Sequence, residues 1–137
     1  MPRISRVLET ALYCDDLPAT SAFYRNVLGA IPLFEDERLS ALDTGGGTVL
    51  LLFRRGSSAG GVPLASGFIP PHDSTGPAHI ALAITAADLP EWERLLAARG
   101  VAIESRVEWP RGGRSLYFRD PEGHSVELAT PGVWQTY

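Results

Sequence analysis

Hydrophobic and polar positions follow the same order twice along the chain. Each half begins with an alternating, strand-like stretch, continues with an amphipathic stretch of helical period, and ends with three short strand-like runs. The first half predicts a strand at 7–14, a helix at 17–28 and strands at 31–35, 39–43 and 48–54; the second predicts a strand at 79–84, a helix at 89–99 and strands at 101–107, 115–119 and 125–129. The chain is therefore expected to contain two copies of one module.

The repeat is also visible residue by residue. Glu9-Thr10-Ala11 has its counterpart in His79-Ile80-Ala81, 70 residues later, and an Asp-Leu-Pro helix start follows each, at Asp16 and Asp88. We predict an α+β fold in which two βαβββ modules in tandem form a curved mixed sheet around a cavity. The prediction places module one at 1–56, a Gly-, Pro- and Ser-rich linker or lid at 57–76, and module two at 77–137, all within a single domain of 1–137.

Composition and charge narrow the classes of protein. A chain of 137 residues, 45% hydrophobic, is long enough for one core and too short for two. The net charge is −4 and the basic residues are scattered, which argues against nucleic-acid binding. Apolar runs such as 49–53 are far below the roughly 20 residues of a membrane helix, and residues 1–6 lack a signal core. We therefore expect a cytoplasmic protein without membrane partners, and its one cysteine, Cys14, predicts a buried thiol.

Ionisable residues stand at unusual places in three predicted strands. Because side chains alternate along a strand, Glu9 shares its face with Ala11 and Tyr13, and His79 shares its face with alanines. Glu127 stands between two aliphatic residues in the last strand. A carboxylate there is costly to bury unless a cation pairs with it. The small neighbours of Glu9 and His79 leave room for a ligand.

The motifs together resemble the vicinal oxygen chelate superfamily over nearly the whole chain. They are Asp16-Leu17, Phe23-Tyr24 and Leu28-Gly29 in the first module, and Phe118-Arg119-Asp120-Pro121-Glu122-Gly123-His124 followed by Glu127 in the second. The resemblance implies metal ligands on the first strand of each module and on the last strand, which are Glu9, His79 and Glu127 here. It therefore implies one divalent metal ion, and two carboxylates with one imidazole suit Mn²⁺, Fe²⁺, Zn²⁺, Co²⁺ or Ni²⁺.

Three positions depart from patterns known in the superfamily. Glu9 stands where the usual ligand is His or Gln, which weighs against an extradiol dioxygenase with two histidines and one carboxylate. Leu51, the internal counterpart of Glu127, cannot bind a metal, so we expect three protein ligands with open positions instead of the four of glyoxalase I. Ala11 replaces a threonine of the fosfomycin-resistance branch, which disfavours that substrate.

Further residues are candidates for substrate contact or proton transfer. Tyr117 resembles a position that contacts substrate in the fosfomycin-resistance branch, and Ser115 lies on the same strand face; core packing is the alternative. His72, in the segment 57–76, is a candidate proton-transfer group or a surface-loop histidine. Arg111 and Arg114 are candidates to bind an anionic group of the substrate, or form only the charged rim of a hairpin.

The resemblance implies a metal-dependent enzyme whose cation chelates two neighbouring oxygens of a small-molecule substrate, with isomerase, lyase or transferase chemistry. The alternatives are a non-catalytic small-molecule binding protein similar to bleomycin-resistance proteins, and an Fe(II) extradiol dioxygenase. Superfamily members commonly dimerise, so a homodimer is expected. The apolar tail with Val133, Trp134 and Tyr137 is the candidate cover for the partner subunit.

Overall fold

Each half of the chain folds as one strand, one helix and three further strands, and the computed structural model describes all 137 residues. The first half contains β1 (Glu9–Cys14), α1 (Leu17–Asn26), β2 (Ile31–Glu35), β3 (Leu39–Asp43) and β4 (Val49–Arg54). A short hairpin follows, made of β5 (Val62–Leu64) and β6 (Gly67–Ile69). The second half contains β7 (His79–Ala83), α2 (Leu89–Ala98), β8 (Ser105–Glu108), β9 (Arg114–Arg119) and β10 (Ser125–Ala129).

In both modules the last strand pairs in parallel with the first strand, and the other neighbours are antiparallel. The strand orders are β1-β4-β3-β2 and β7-β10-β9-β8. The α+β class and the two βαβββ modules are thus confirmed, and each module forms a mixed four-stranded sheet. His79 lies opposite Ser125, and Glu127 lies opposite Tyr117. Because paired residues share a face of the sheet, His79, Glu127 and Tyr117 lie on the same face.

The other face of each sheet forms the core. Buried side chains on that face are Leu12, Cys14, Leu42, Leu50 and Leu52 in the first sheet, and Leu116, Phe118, Val126 and Leu128 in the second. This separation confirms the apolar face predicted from the alternation in β1 and β10. The buried thiol of Cys14 is also confirmed, and its Sγ donates to the carbonyl oxygen of Phe53 at 3.4 Å.

Both helices begin at the predicted Asp-Leu-Pro signals, and the predicted glycines follow their ends. The side chain of Asp16 caps α1 by accepting a hydrogen bond from the Ala19 amide at 3.0 Å, whereas Asp88 makes no such bond to α2. Gly29 and Gly100 follow the helices with φ of 73° and 71°, a region in which glycine avoids the strain of a Cβ atom. Asp16 therefore fixes the start of α1 in the short connection that follows β1.

Several predicted boundaries differ from the structure by one or two residues, and the start of β8 differs by four. The helix predicted to residue 28 ends at Asn26. The strand predicted from residue 101 begins only at Ser105, because the pairing of β8 with β9 ends there, opposite Tyr117.

The chain divides into two compact units, Met1–Gly76 and Pro77–Tyr137. The segment 57–76 belongs to the first unit and contains the β5–β6 hairpin. It is tied back by the amide of His72, which donates to the carbonyl oxygen of Ser58 at 3.1 Å. A function of this segment as a lid, and the action of all 137 residues as one domain, stay predictions.

No helix combines the length and apolar character needed to cross a membrane.

Candidate functional site

Three neighbouring strands of the second unit bring His79, Tyr117 and Glu127 together. The Nε2 atom of His79 lies 3.3 Å from Oε1 of Glu127. The rings of His79 and Tyr117 are roughly parallel, with centroids 6.3 Å apart. The side chain of His79 is 52% exposed and that of Glu127 only 7%. An accessible imidazole therefore stands beside a buried carboxylate.

The second carboxylate oxygen of Glu127 is already engaged. The hydroxyl of Ser115 donates to Oε2 at 2.5 Å, and the indole Nε1 of Trp109 donates to that hydroxyl at 2.8 Å. Ser115 is buried, so solvent competes little for these bonds. Neither bond involves Oε1, which is the oxygen that faces His79.

The hydrogen bonds of His79 determine which ring nitrogen carries a proton. Its Nδ1 lies 3.0 Å from the backbone carbonyl oxygen of Ser125, which can only accept. Nδ1 therefore carries a proton, and when the ring is neutral Nε2 presents a lone pair. Two acceptor atoms, Nε2 of His79 and Oε1 of Glu127, then face each other at 3.3 Å. Such a pair is favourable only with a proton or a cation between the two atoms.

This arrangement fits a divalent cation. A histidine ligand commonly donates its other ring N–H to a carbonyl group, as His79 does to Ser125. No group of three or more His, Cys, Asp or Glu side chains in the chain is placed to hold a metal ion. The structure thus brings two predicted ligands together within the second unit. The third, Glu9, is an exposed residue of β1 in the first unit, and its role as a ligand stays a prediction.

Tyr117 is held as a neutral phenol beside this pair. Its pKa is raised, first by burial and then by the negative charge of Glu127 and a hydrogen bond with that carboxylate. At neutral pH the hydroxyl therefore keeps its proton and is able to donate it in a hydrogen bond. The proton-transfer role of Tyr117 stays a prediction.

A cavity of about 630 Å³ opens over this group of residues. Its lining includes His79, Tyr117 and Glu127, together with the aromatic side chains of Trp109, Trp134 and Tyr137. The volume is within the range of small-molecule sites, and the walls are mostly apolar with a few polar groups, as is usual for such sites. The predicted small-molecule site therefore has a physical counterpart in the second unit.

The other predicted substrate-binding residues do not line this cavity. Ser115 lies buried beneath it and binds Glu127, while Arg111 and Arg114 are exposed in and beside the β8–β9 turn. Ser115 thus contacts a residue of the site without lining the cavity itself. Direct substrate contact by these three residues stays a prediction.

The first unit has a smaller cavity of about 450 Å³, which is lined by Glu9, Tyr13, Phe53 and His72 among others. The hydroxyl of Tyr13 lies 2.6 Å from Nδ1 of His72, and the rings of Phe53 and His72 meet edge to face at 4.7 Å between centroids. His72 is therefore a packed residue with a side-chain partner. The proton-transfer role of His72 stays a prediction.

Sequence reasoning missed Trp109 and the packing of the tail against its own unit. Trp109 joins the site across the β8–β9 turn, where its amide donates to the Gly113 carbonyl oxygen at 2.8 Å. The hydroxyl of Tyr137 donates to the carbonyl oxygens of Ile84 at 3.0 Å and Ala129 at 2.9 Å, so the tail lines the cavity of its own unit. The sequence signal that could have indicated the contact of Trp109 across this turn is the glycine pair Gly112-Gly113. Cover of a partner subunit by the tail stays a prediction.

The sequence model of the Glyoxalase/Bleomycin resistance protein/Dioxygenase superfamily matches residues 6–128. The chain belongs to this superfamily, in agreement with the vicinal oxygen chelate resemblance, the two βαβββ modules and the His79–Glu127 pair.

Three relatives show the range of activities in the superfamily. The chain is 34% identical in sequence to a lactoylglutathione lyase from Agrobacterium tumefaciens. The two structures superpose with a TM-score of 0.88, and the match covers 98% of this chain and 99% of that one. It is 33% identical to the metallothiol transferase FosB of Bacillus licheniformis over 87% of this chain and 71% of the relative. It is also 33% identical to the biphenyl-2,3-diol 1,2-dioxygenase 3 of Rhodococcus globerulus, but spans only 62% of the length of that enzyme.

Proposed function

We propose that the protein is a metal-dependent enzyme in which His79 and Glu127 supply two ligands of a divalent cation. The observation that carries the proposal is the pair of facing acceptor atoms, Nε2 and Oε1, at 3.3 Å. Glu9, at the first-strand position of the superfamily, is the proposed third ligand. When bound, the cation acts as a Lewis acid toward two neighbouring oxygens of a small substrate. We leave the metal open among Mn²⁺, Fe²⁺, Zn²⁺, Co²⁺ and Ni²⁺.

The residues around the pair supply the rest of the chemistry. Tyr117 holds a proton at its hydroxyl beside Glu127 and is the proposed donor to a substrate oxygen. Trp109 and Trp134 offer aromatic surfaces that exclude water from a bound substrate. His72 is retained as a second proposed proton-transfer group, at its Nε2 atom, because Nδ1 is engaged with Tyr13.

We propose lyase or isomerase chemistry ahead of the other reaction types. The likeness to the lactoylglutathione lyase extends over nearly the full length of both chains, whereas the dioxygenase is covered to only 62%. Glu9 also departs from the two-histidine, one-carboxylate ligand set of extradiol dioxygenases. The first assay is therefore formation and breakdown of lactoylglutathione, followed by thiol transfer and by oxygen consumption with biphenyl-2,3-diol.

The metal part of the proposal is tested by equilibrium dialysis of chelator-treated protein against each of the five cations. We expect one equivalent to bind the wild type and binding to weaken strongly in His79→Ala, Glu127→Gln and Glu9→Gln. Glu108→Gln is the matched control, because Glu108 is an exposed carboxylate on β8 and its loss leaves binding unchanged. Wild-type protein that takes up none of the five cations contradicts the proposal.

A non-catalytic binding protein is the second candidate function, favoured by the aromatic lining of the cavity. Trp109, Tyr117 and Trp134 surround the Glu127 carboxylate, and such surroundings also bind a planar or cationic small molecule. This function predicts micromolar quenching of tryptophan fluorescence by such a compound in metal-free protein. Metal-dependent turnover in the assays above excludes it as the main function.

A further inference from the structure

A chain of hydrogen bonds connects the wall of the cavity to the candidate metal ligand. Nε1 of Trp109 donates to Oγ of Ser115, which donates to Oε2 of Glu127, at 2.8 and 2.5 Å. The direction of this chain is unambiguous, because an indole N–H can only donate and an ionised carboxylate can only accept. The one proton of the Ser115 hydroxyl is therefore committed to Glu127.

We propose that Trp109 is a positioning residue that acts through Ser115 to fix the orientation of the Glu127 carboxylate; this inference rests on the proposed function. The donor at Oε2 holds that oxygen toward β9 and leaves Oε1 facing His79. Burial of Ser115 and Glu127 strengthens the chain, since little water competes for its bonds. Without the indole donor, the Ser115 hydroxyl loses one of the partners that fix its direction, and the carboxylate is held less firmly in one orientation.

Trp109 serves this purpose while it also forms part of the cavity wall. A substrate that packs on the Trp109 ring therefore contacts the residue that begins the chain of hydrogen bonds to Glu127. Partners of metal ligands typically change metal affinity by about 10-fold to 100-fold when they are removed. Ser115 touches the ligand directly and Trp109 acts through it, so we expect the larger effect at Ser115.

The test compares the dissociation constant of Zn²⁺ and of Mn²⁺ among four proteins: the wild type, Trp109→Phe, Ser115→Ala and the double variant. Trp109→Phe keeps an aromatic ring and removes only the donor. We expect binding to weaken by about 3-fold to 10-fold in Trp109→Phe and about 10-fold to 100-fold in Ser115→Ala. The double variant should be no weaker than Ser115→Ala alone, because Trp109 acts through Ser115. Trp92→Phe is the matched control, since Trp92 lies on α2 and does not line the cavity.

The thermal unfolding of each metal-free variant is measured in parallel. A merely structural role of Trp109 lowers stability and leaves metal affinity unchanged, and that result overturns the inference. Additive losses in the double variant overturn it as well. Wild-type protein that binds neither Zn²⁺ nor Mn²⁺ overturns the inference together with its metal basis, whereas wild-type affinity in Trp109→Phe overturns the positioning role alone.

Discussion

At Glu127, the hydrogen bond to Oε2 determines which carboxylate oxygen faces His79. Ser115 occupies Oε2, Ser125 occupies Nδ1 of His79, and the two remaining acceptors face each other. A buried carboxylate oxygen that faces a second acceptor atom is unfavourable in isolation. The same charge raises the pKa of Tyr117, after the larger effect of burial, so the ionisation of Tyr117 reports on Glu127.

At the residue scale we predict that Glu127→Gln lowers the pKa of Tyr117 toward its ordinary value, because the neutral amide no longer repels the tyrosinate. The measurement is the rise of phenolate absorbance with pH, in which Tyr117→Phe identifies the contribution of that residue. Glu108→Gln, the exposed control, leaves the titration unchanged. An identical Tyr117 titration in wild type and Glu127→Gln contradicts this electrostatic coupling.

Among the elements, α1, β2 and β3 are connected by one carboxylate. Oε1 of Glu35 accepts hydrogen bonds from Ser21 at 2.7 Å and from Ser40 at 2.6 Å. These bonds, that of Ser40 first, lower the pKa of Glu35, with a smaller contribution from the charge of Arg25. A lowered folded-state pKa gives stability that is fully present above the unfolded value of 4.5 and is lost as pH falls through the folded value.

We therefore predict that Ser40→Ala costs about 1 kcal/mol of unfolding free energy at neutral pH, a discounted figure because Glu35 is partly exposed. The loss should shrink as the pH falls below 4.5, where Glu35 is protonated in the unfolded chain. Urea unfolding between pH 3 and 7 measures both effects, with the exposed Glu37→Gln as control. If Ser40→Ala lowers the unfolding free energy by the same amount from pH 3 to pH 7, the lost hydrogen bond to Glu35 is not the cause of that decrease.

For the whole molecule, the repeat was enough to predict both modules, because the alternation in β1, β7 and β10 separates apolar and ionisable faces without any knowledge of tertiary contacts. The same alternation placed His79 and Glu127 on one face. The link through Trp109 could not be read in this way, since it depends on the pairing register across the β8–β9 turn. The docking of Tyr137 depends on the backbone carbonyl oxygens of Ile84 and Ala129. Every residue has a backbone carbonyl group, so no sequence pattern indicates this contact.

The assembly is predicted to be a homodimer in solution. Light scattering coupled to gel filtration should give about twice the 14.8 kDa mass of one chain. The tail is the proposed contact, so Trp134→Ser, which changes a 72% exposed indole, should weaken association. A mass of one chain at all concentrations contradicts the dimer, and an unchanged dimer in Trp134→Ser assigns the contact to another surface.

Nitrogen NMR of the histidine rings tests the central claim most directly, with His79→Gln used to assign the His79 signals. In metal-free protein, Nδ1 of His79 should carry a proton, because it faces the carbonyl oxygen of Ser125. On addition of Zn²⁺ the Nε2 resonance should move to the position of a metal-bound nitrogen while Nδ1 keeps its proton. An Nε2 resonance that stays unchanged with excess Zn²⁺ would contradict the assignment of His79 and Glu127 as a metal-binding pair.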